Sequence, residues 1–384
     1  MAMKLIHAAN YFTKDEILRR AGHYEYPNPL AVEIFLWDCE LTAQLQTLCD
    51  KAVLKGGAAA QLHLPLERQR GSVDVDLTTS LENKDVDEVI RQLGKTLEGC
   101  ATFLRYEPKK PNPELPLSTY LAHVPSTVDP EREELEIKLD FLCKSPELPH
   151  AVLRNIQTFA LEVKRIECST AGALMGDKLL TLAKGSIGTE LEADLPKQIY
   201  DVDALFETCD VSAEFVNDMM ISIGELTKIE ASFRRIRVTP IEALNDVAKA
   251  MSWYSLVDTP SADASTKKEI ESFQQFFVNR SQRKPYYEWS SKSLRIGFLA
   301  TLAQKLVLKE MEAADVARVI SECKEMEASL RKISGNSVVD LRDKMLKLVQ
   351  TRLLHYRDLR GKSLERVFWQ ALTLENLENM NSLL

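Results

Sequence analysis

Two glycines and two carboxylates concentrate the chemistry open to this chain. Gly56 and Gly57 follow Lys55, and Asp74 and Asp76 come one short helix later, in the run Gly71-Ser72-Val73-Asp74-Val75-Asp76-Leu77. Val73, Val75 and Leu77 alternate with Ser72, Asp74 and Asp76, the period of a half-buried strand, so both acids and the Ser72 hydroxyl share one face. Two carboxylates about 7 Å apart along a strand repel each other unless a cation lies between them. Hard oxygen donors of this kind suit Mg²⁺ or Mn²⁺. Taken alone, Asp-x-Asp is as readily the solvated side of a surface strand.

The elements around the glycines change that balance. Ala52-Val53-Leu54 reads as a short apolar strand, and the run from Ala58 to Leu64 as a helix, giving strand, glycine turn, helix. Glycine lets a backbone approach a phosphate closely, and the free N–H groups at the start of a helix favour an anion. The spacing is neither a Walker P-loop nor the G-x-G-x-x-G of a dinucleotide fold. An isolated Gly-Gly pair is more often a plain turn; coupled to Asp74 and Asp76, the reading as a nucleoside triphosphate site with a divalent metal takes the advantage.

Lys55-Gly56-Gly57 followed by Arg70-Gly71-Ser72-Val73-Asp74-Val75-Asp76-Leu77 resembles the DNA polymerase β-like nucleotidyltransferase superfamily. Within it, the chain resembles the AbiEii/AbiGii abortive-infection toxins and the related MenT toxins. Gly176-Asp177-Lys178-Leu179-Leu180-Thr181-Leu182 is similar to the family's Lys-Leu-x-x-Leu helix, and the run from Lys197 to Leu205 to its basic-Asp-x-x-Asp segment. The resemblance spans about residues 50–210. It departs at Ala58, where the family usually carries a Ser or Thr hydroxyl, and at Gln198, where an Asp is common; Ser72 is a candidate replacement for the hydroxyl. Asp201 is then the better functional acid of its segment, and Asp203 the lesser.

The resemblance implies transfer of a nucleoside monophosphate from an NTP, with Asp74 and Asp76 holding Mg²⁺ or Mn²⁺ and Lys55, Gly56, Gly57, Arg70 and Ser72 meeting the nucleotide. It also implies a tRNA 3′ end as acceptor and a cognate antitoxin as partner. In such chemistry a hydroxyl attacks the α-phosphate and pyrophosphate leaves, so cations held by carboxylates stabilise both oxygens. A third carboxylate is expected on a neighbouring strand, and Leu135–Leu142 is a second alternating run with Glu136, Lys138 and Asp140 on one face. Asp140 is the choice and Glu136 the reserve; the competing possibility is a solvated face in which Lys138 pairs with its neighbours. Lys178, on an amphipathic helix, receives a triphosphate role and Asp201 a catalytic one from the resemblance alone. Otherwise Lys178 is an ordinary helical lysine, as Arg70 is an ordinary loop arginine.

The 384 residues, 45% hydrophobic and 28% charged, can bury a large core. No apolar run reaches the roughly 18–20 residues that span a bilayer, and no secretory core follows the first residues. Seven scattered cysteines without a C-x-x-C pair argue against a disulfide scaffold or zinc site. A cytoplasmic protein without membrane contact is expected. The fold class is α+β, a small mixed sheet forming a nucleotidyltransferase core, with a large helical C-terminal region. The expected divisions are residues 1–145, 146–211 and 212–384, with helical periodicity in almost every segment from about 150 onward.

The net charge of −8 runs against a nucleic-acid substrate. One window nevertheless gathers Arg280, Arg283, Lys284, Lys292 and Arg295 around Tyr286, Tyr287 and Trp289, a mixture suited to phosphate contacts and base stacking. A solvated helix end whose aromatics anchor the core explains it at least as well. Arg234, Arg235 and Arg237, and the C-terminal cluster Arg352, Arg357, Arg360, Lys362 and Arg366, are equally ambiguous. His63, after the glycine turn, reads first as a packing histidine. Two further functions stay open: nucleotidyl transfer to a protein or to a small molecule such as an antibiotic, and a non-catalytic nucleotide-binding regulatory role suggested by Ala58 and Gln198.

Overall fold

The structure, a computed structural model, describes residues 4–107, 116–129, 131–189, 192–335, 337–349, 359 and 361–383. The proline-rich stretch from Pro108 to Pro113 and the basic residues Arg352, Arg357 and Arg360 lie outside them. Contacts divide the chain into two compact units: Met1–Asp177 with Ser272–Arg283, and Lys178–Glu271 with Lys284–Leu384.

The first unit is built on one mixed sheet. Its strands are β1 (Val53–Lys55), β2 (Asp74–Thr78), β3 (Thr102–Arg105), β4 (Leu117–Pro125), β5 (Glu134–Leu142), β6 (His150–Gln157) and β7 (Glu162–Ser169), in the spatial order β3-β4-β5-β2-β1-β7-β6. β2 runs parallel to β5 and β1 parallel to β7, while the other pairs are antiparallel. Alternation sorts the faces. Val75, Leu77, Ile137 and Leu139 are wholly buried, while Asp74, Asp76, Lys138 and Asp140 on the opposite side are partly exposed.

β6 and β7 correct the expectation of helix from residue 150 onward. Val163 and Ile166, three apart and both wholly buried, imitate a helical stripe, and the strand face of β6 is largely exposed, so neither run shows clean alternation. A tight turn joins them: the Thr158 amide donates to the Leu161 carbonyl at 2.9 Å, and the Thr158 hydroxyl accepts the Ala160 and Leu161 amides.

Among the described residues, four α-helices precede or interleave with these strands: α1 (Lys14–His23), α2 (Pro29–Leu48), α3 (Gly56–Leu62) and α4 (Asn83–Thr96). α1 starts at Thr13, whose hydroxyl accepts the Glu16 amide at 3.4 Å. α2 packs on β2, β5 and β7. Its Phe35, Leu36, Leu41 and Leu45 are at most 1% exposed, each contributing roughly 1.5–3 kcal/mol of burial. Buried acids on α2 tie down other segments. Glu40 accepts the amides of Ile6 and His7 at 2.8 and 3.0 Å, and Glu33 accepts the Thr127 amide at 2.6 Å. Residues 272–283 return to this unit, where the Phe277 carbonyl accepts the Gly71 amide at 2.8 Å and the Arg280 amide donates to the Glu25 carbonyl at 3.1 Å.

The second unit is helical among the described residues. Its members include α6 (Leu195–Thr208), α7 (Ala213–Arg234), α8 (Pro240–Tyr254), α10 (Tyr286–Val307), α11 (Ala313–Leu330) and α12 (Ser337–Val349); α5 (Ala171–Thr181) and α9 (Ala264–Phe277) cross from one unit into the other. Pro240 occupies the first turn of α8, behind a capping box made by Thr239 and Glu242. α10 packs against α6, α8 and the helix Leu364–Ala371.

That packing overturns part of the expected nucleic-acid surface. Lys292 and Arg295 are 4% and 3% exposed and both pair with the wholly buried Asp203 of α6. Arg295 also reaches Glu207 and Glu327, each at 2.8 Å, with its guanidinium 5.3 Å from the Trp369 ring centre. Trp289 is 1% exposed. These cations are committed to interior acids because α10 turns that face inward. Tyr286 hydrogen-bonds Glu271, and Lys284 lies 3.8 Å from Glu288. Asp203→Ala takes the carboxylate from the interior Lys292 and one of three acids from Arg295, and should cost about 3–5 kcal/mol, read by denaturant unfolding; a loss under about 1 kcal/mol would refute this account.

Candidate active site

β1 ends at Lys55 and α3 begins at once, with Gly56 at φ +71°. Only glycine takes that conformation without strain. Space demands it as well, because a Cβ on Gly56 would lie 2.0 Å from Asp76 Oδ2. The antiparallel pairing of β1 with β2 sets Lys55 opposite Asp76 and forces this approach. A Cβ on Gly57 would meet Ser72 Oγ at 3.1 Å and Arg70 Nη2 at 3.2 Å. Thus the second glycine faces a hydroxyl and a guanidinium, and the α3 start, Ser72, Arg70 and Asp76 converge.

Gln61, which the sequence reading passed over, holds the turn together: its amide nitrogen donates to the Gly57 carbonyl at 3.0 Å and its oxygen accepts the Arg70 amide at 2.9 Å. Arg70 is buried, donates to the Gly71 carbonyl at 2.6 Å and stacks 5.8 Å from the Phe273 ring. Ala58 is buried at 2% exposure, so the hydroxyl beside the turn is that of Ser72.

Across the parallel pair, Asp76 stands opposite Asp140 and Asp74 opposite Lys138. The Thr119 hydroxyl donates to Asp140 at 2.6 Å, and Lys138 donates to its other oxygen. Burial, together with the neighbouring Asp140, Asp74 and Asp177, outweighs the pull of Lys55 and lifts the Asp76 carboxyl to about 6. Asp177, at the last position of the first unit's share of α5, pairs with Lys55 at 3.6 Å. Asp38 on α2 is 1% exposed, has no hydrogen-bond partner among the described residues, and is pushed well above the carboxylate range by burial and then by Asp74 and Asp76. Thr119 carried no sequence signal and Asp177 only its place in the Gly176–Leu182 motif; Asp38 did, as an acid directly after the apolar run Phe35-Leu36-Trp37.

A sequence profile of the AbiEii nucleotidyltransferase toxins, a type IV toxin-antitoxin family, matches residues 41–286, well over half of the chain. This chain belongs to the AbiEii family. Membership makes it a nucleotidyltransferase and implies an NTP substrate and an antitoxin counterpart. Solved structures share similarity at low identity. One from H. pylori, provisionally described as a nucleotidyltransferase, is 13% identical, with a TM-score of 0.43 over 74% of this chain and 97% of its own. JHP933 from Helicobacter pylori is 14% identical, with a TM-score of 0.38 over 78% and 96%. An antigenic nucleotidyltransferase-like protein from Paracoccidioides brasiliensis is 13% identical, with a TM-score of 0.32 over 52% and 92%. No curated protein matches the chain.

In the second unit of this AbiEii member, Lys178 is 3% exposed and pairs with the wholly buried Asp201 at 2.6 Å. Gln198 accepts from the same ammonium at 3.1 Å, so the residue that departs from the family pattern still supplies an oxygen there. His63 is a packing histidine: its Nε2 meets the Ser169 carbonyl at 2.9 Å, and burial lowers its pKa. Among the described residues no three His, Cys, Asp or Glu side chains form a ready-made cation cage, and no helix is long and apolar enough to cross a membrane.

Two predictions follow from this geometry. Gly56→Ala drives a methyl into Asp76 at an unfavourable φ, so stability should fall by about 1–2 kcal/mol and nucleotide affinity with it; unchanged melting and affinity would refute the close approach. Asp76 binds its proton more readily folded than unfolded, its pKa being lifted from 3.8 to about 6. The metal-free chain therefore gains stability from this group as pH falls from about 6 towards 4, and loses it as pH rises through that window. Asp76→Asn should remove that part of the slope and stabilise the metal-free chain at neutral pH, by about 1 kcal/mol after solvent screening; melting curves in chelator at several pH values read this directly.

Proposed function

We propose that this AbiEii member transfers a nucleoside monophosphate from an NTP to an RNA acceptor, the tRNA 3′ end, in a divalent-metal-dependent reaction in the cytoplasm, and that a cognate antitoxin restrains it. The observation that carries the reading is the approach of the Gly56 backbone to Asp76, with Asp74 on the same strand and Asp140 opposite Asp76 on the neighbouring one. The donors there are carboxylates whose crowding already disfavours full ionisation of Asp76, which fits a hard dication. Asp74 and Asp76 would hold Mg²⁺ or Mn²⁺, with Asp140 as the third ligand. When bound, the cation stabilises charge on the oxygens of the displacement.

The chain's own groups supply binding and orientation. The N–H groups at the start of α3, the Lys55 ammonium, the Arg70 guanidinium and the Ser72 hydroxyl hold the triphosphate, so that the α-phosphate is presented to the attacking hydroxyl. Lys178 as a triphosphate ligand and Asp201 as the acid that orients it rest on the family motif, supported by their 2.6 Å pair. Of the expected RNA contacts, Arg280, Arg283 and Tyr287 remain exposed. A second acceptor class, a protein or a small molecule such as an antibiotic, is favoured by the burial of Lys292 and Arg295 in a chain of net charge −8.

Incubating the chain with Mg²⁺, each α-labelled NTP and total tRNA should put label on tRNA. Label on protein or on an added aminoglycoside instead would replace the first acceptor by the second. Asp74→Ala, at a partly exposed position, should lower transfer by roughly 10²–10³-fold without lowering the melting temperature; full activity would remove Asp74 from the site.

A further inference from the structure

Lys138 is a cation on the acidic face that the chemistry above leaves unused. It stands on β5 opposite Asp74 in the β2–β5 register. Its ammonium is hydrogen-bonded to Oδ2 of Asp140, while Oδ1 of the same carboxylate accepts the Thr119 hydroxyl at 2.6 Å. Each oxygen of the third carboxylate therefore already accepts a hydrogen bond. Mg²⁺ coordinates carboxylate oxygen at roughly 2.0–2.1 Å, a position the ammonium now blocks on one side.

Resting on the reading of Asp74, Asp76 and Asp140 as metal ligands, we propose that Lys138 is a positioning residue that serves as a resident counter-cation. It holds Asp140 against the other acids while no divalent ion is bound, and it leaves Asp140 when one arrives. Three observations on the face support the exchange. The acids that meet there share one sheet surface, so some positive charge must offset their repulsion in the empty state. The Lys138 side chain is 44% exposed against 15% for Asp140, so the ammonium can rotate into solvent on a flexible stem with no backbone change. The other lysine of the region, Lys55, pairs with Asp177 at 3.6 Å and acts on Asp76, while the ammonium hydrogen-bonded to Asp140 is that of Lys138. Thr119 keeps its hydrogen bond throughout and fixes the carboxylate's orientation for either cation.

The test is Mn²⁺ binding to the full chain without nucleotide, read by the electron paramagnetic resonance of free Mn²⁺, alongside melting in chelator. Lys138→Met should bind Mn²⁺ about fivefold more tightly, the competition a partly exposed ion pair exerts. It should also melt lower in chelator and recover in excess Mn²⁺. Lys138→Arg should stay within about twofold of the parent. Lys84→Met, an exposed lysine 3.5 Å from Glu82, controls for general loss of positive charge and should leave the affinity unchanged. Parent-like or weaker Mn²⁺ binding by Lys138→Met, or equal tightening by Lys84→Met, would overturn the inference while leaving the metal reading intact. A parent chain that binds no Mn²⁺ at all would overturn both.

Discussion

Like charges pressed against a glycine backbone are the constraint around which the first unit is organised. Asp76 lies so close to Gly56 that no side chain fits there, and its neighbours Asp140, Asp74 and Asp177 all oppose its ionisation. Such an arrangement is unfavourable on its own, and the sheet beneath it supplies the rigidity. Val75, Leu77, Ile137 and Leu139 are wholly buried on the opposite face, and α2 packs its apolar side against the same strands. Two lysines offset these acids: Lys55 pairs with Asp177 and acts on Asp76, and Lys138 pairs with Asp140 and acts on Asp74 and Asp76. A surface that concentrates negative charge while offering backbone N–H groups nearby is suited to a substrate carrying both phosphate and cation.

The second unit places charges differently. Asp203 is wholly buried and compensated by Lys292 and Arg295, and Asp201 by Lys178. Two acids two residues apart on α6 thus each hold an interior cation, one from α5 and one set from α10. The first pair coincides with the family motif; the second is explained by packing alone, since Arg295 is also bound to Glu207 and Glu327 and lies over Trp369.

Local signals made the elements that carry the candidate residues readable from sequence. The alternation around Asp74 and Asp76, the glycine turn and the second acidic strand are each set by residues within a few positions of one another, and β1, α3, β2 and β5 form where periodicity places them. What escaped depends on partners distant in sequence. Gln61 acts through Arg70, Thr119 through Asp140 across two strands, and Asp177 through Lys55. β6 and β7 escaped because an exposed edge strand lacks a buried stripe and because Val163 and Ile166 carry a three-residue spacing. The cluster around α10 stayed ambiguous in sequence for a related reason: composition reveals that cations and aromatics are near in sequence, and only the placement of Asp203 and Glu327 reveals which way Lys292 and Arg295 turn.

Residues 272–283 tie the first unit to a distant part of the chain, through the Gly71 amide and the Glu25 carbonyl. The polypeptide therefore crosses between the units three times, and neither is a continuous fragment. A dissection that kept only the N-terminal stretch up to Asp177 would strip the hydrogen-bond acceptor from the residue that leads into Ser72 and the acidic strand, and would uncover Arg70 from Phe273. The sheet and its downstream brace thus belong to one compact unit, to be expressed, truncated or fused only as a whole.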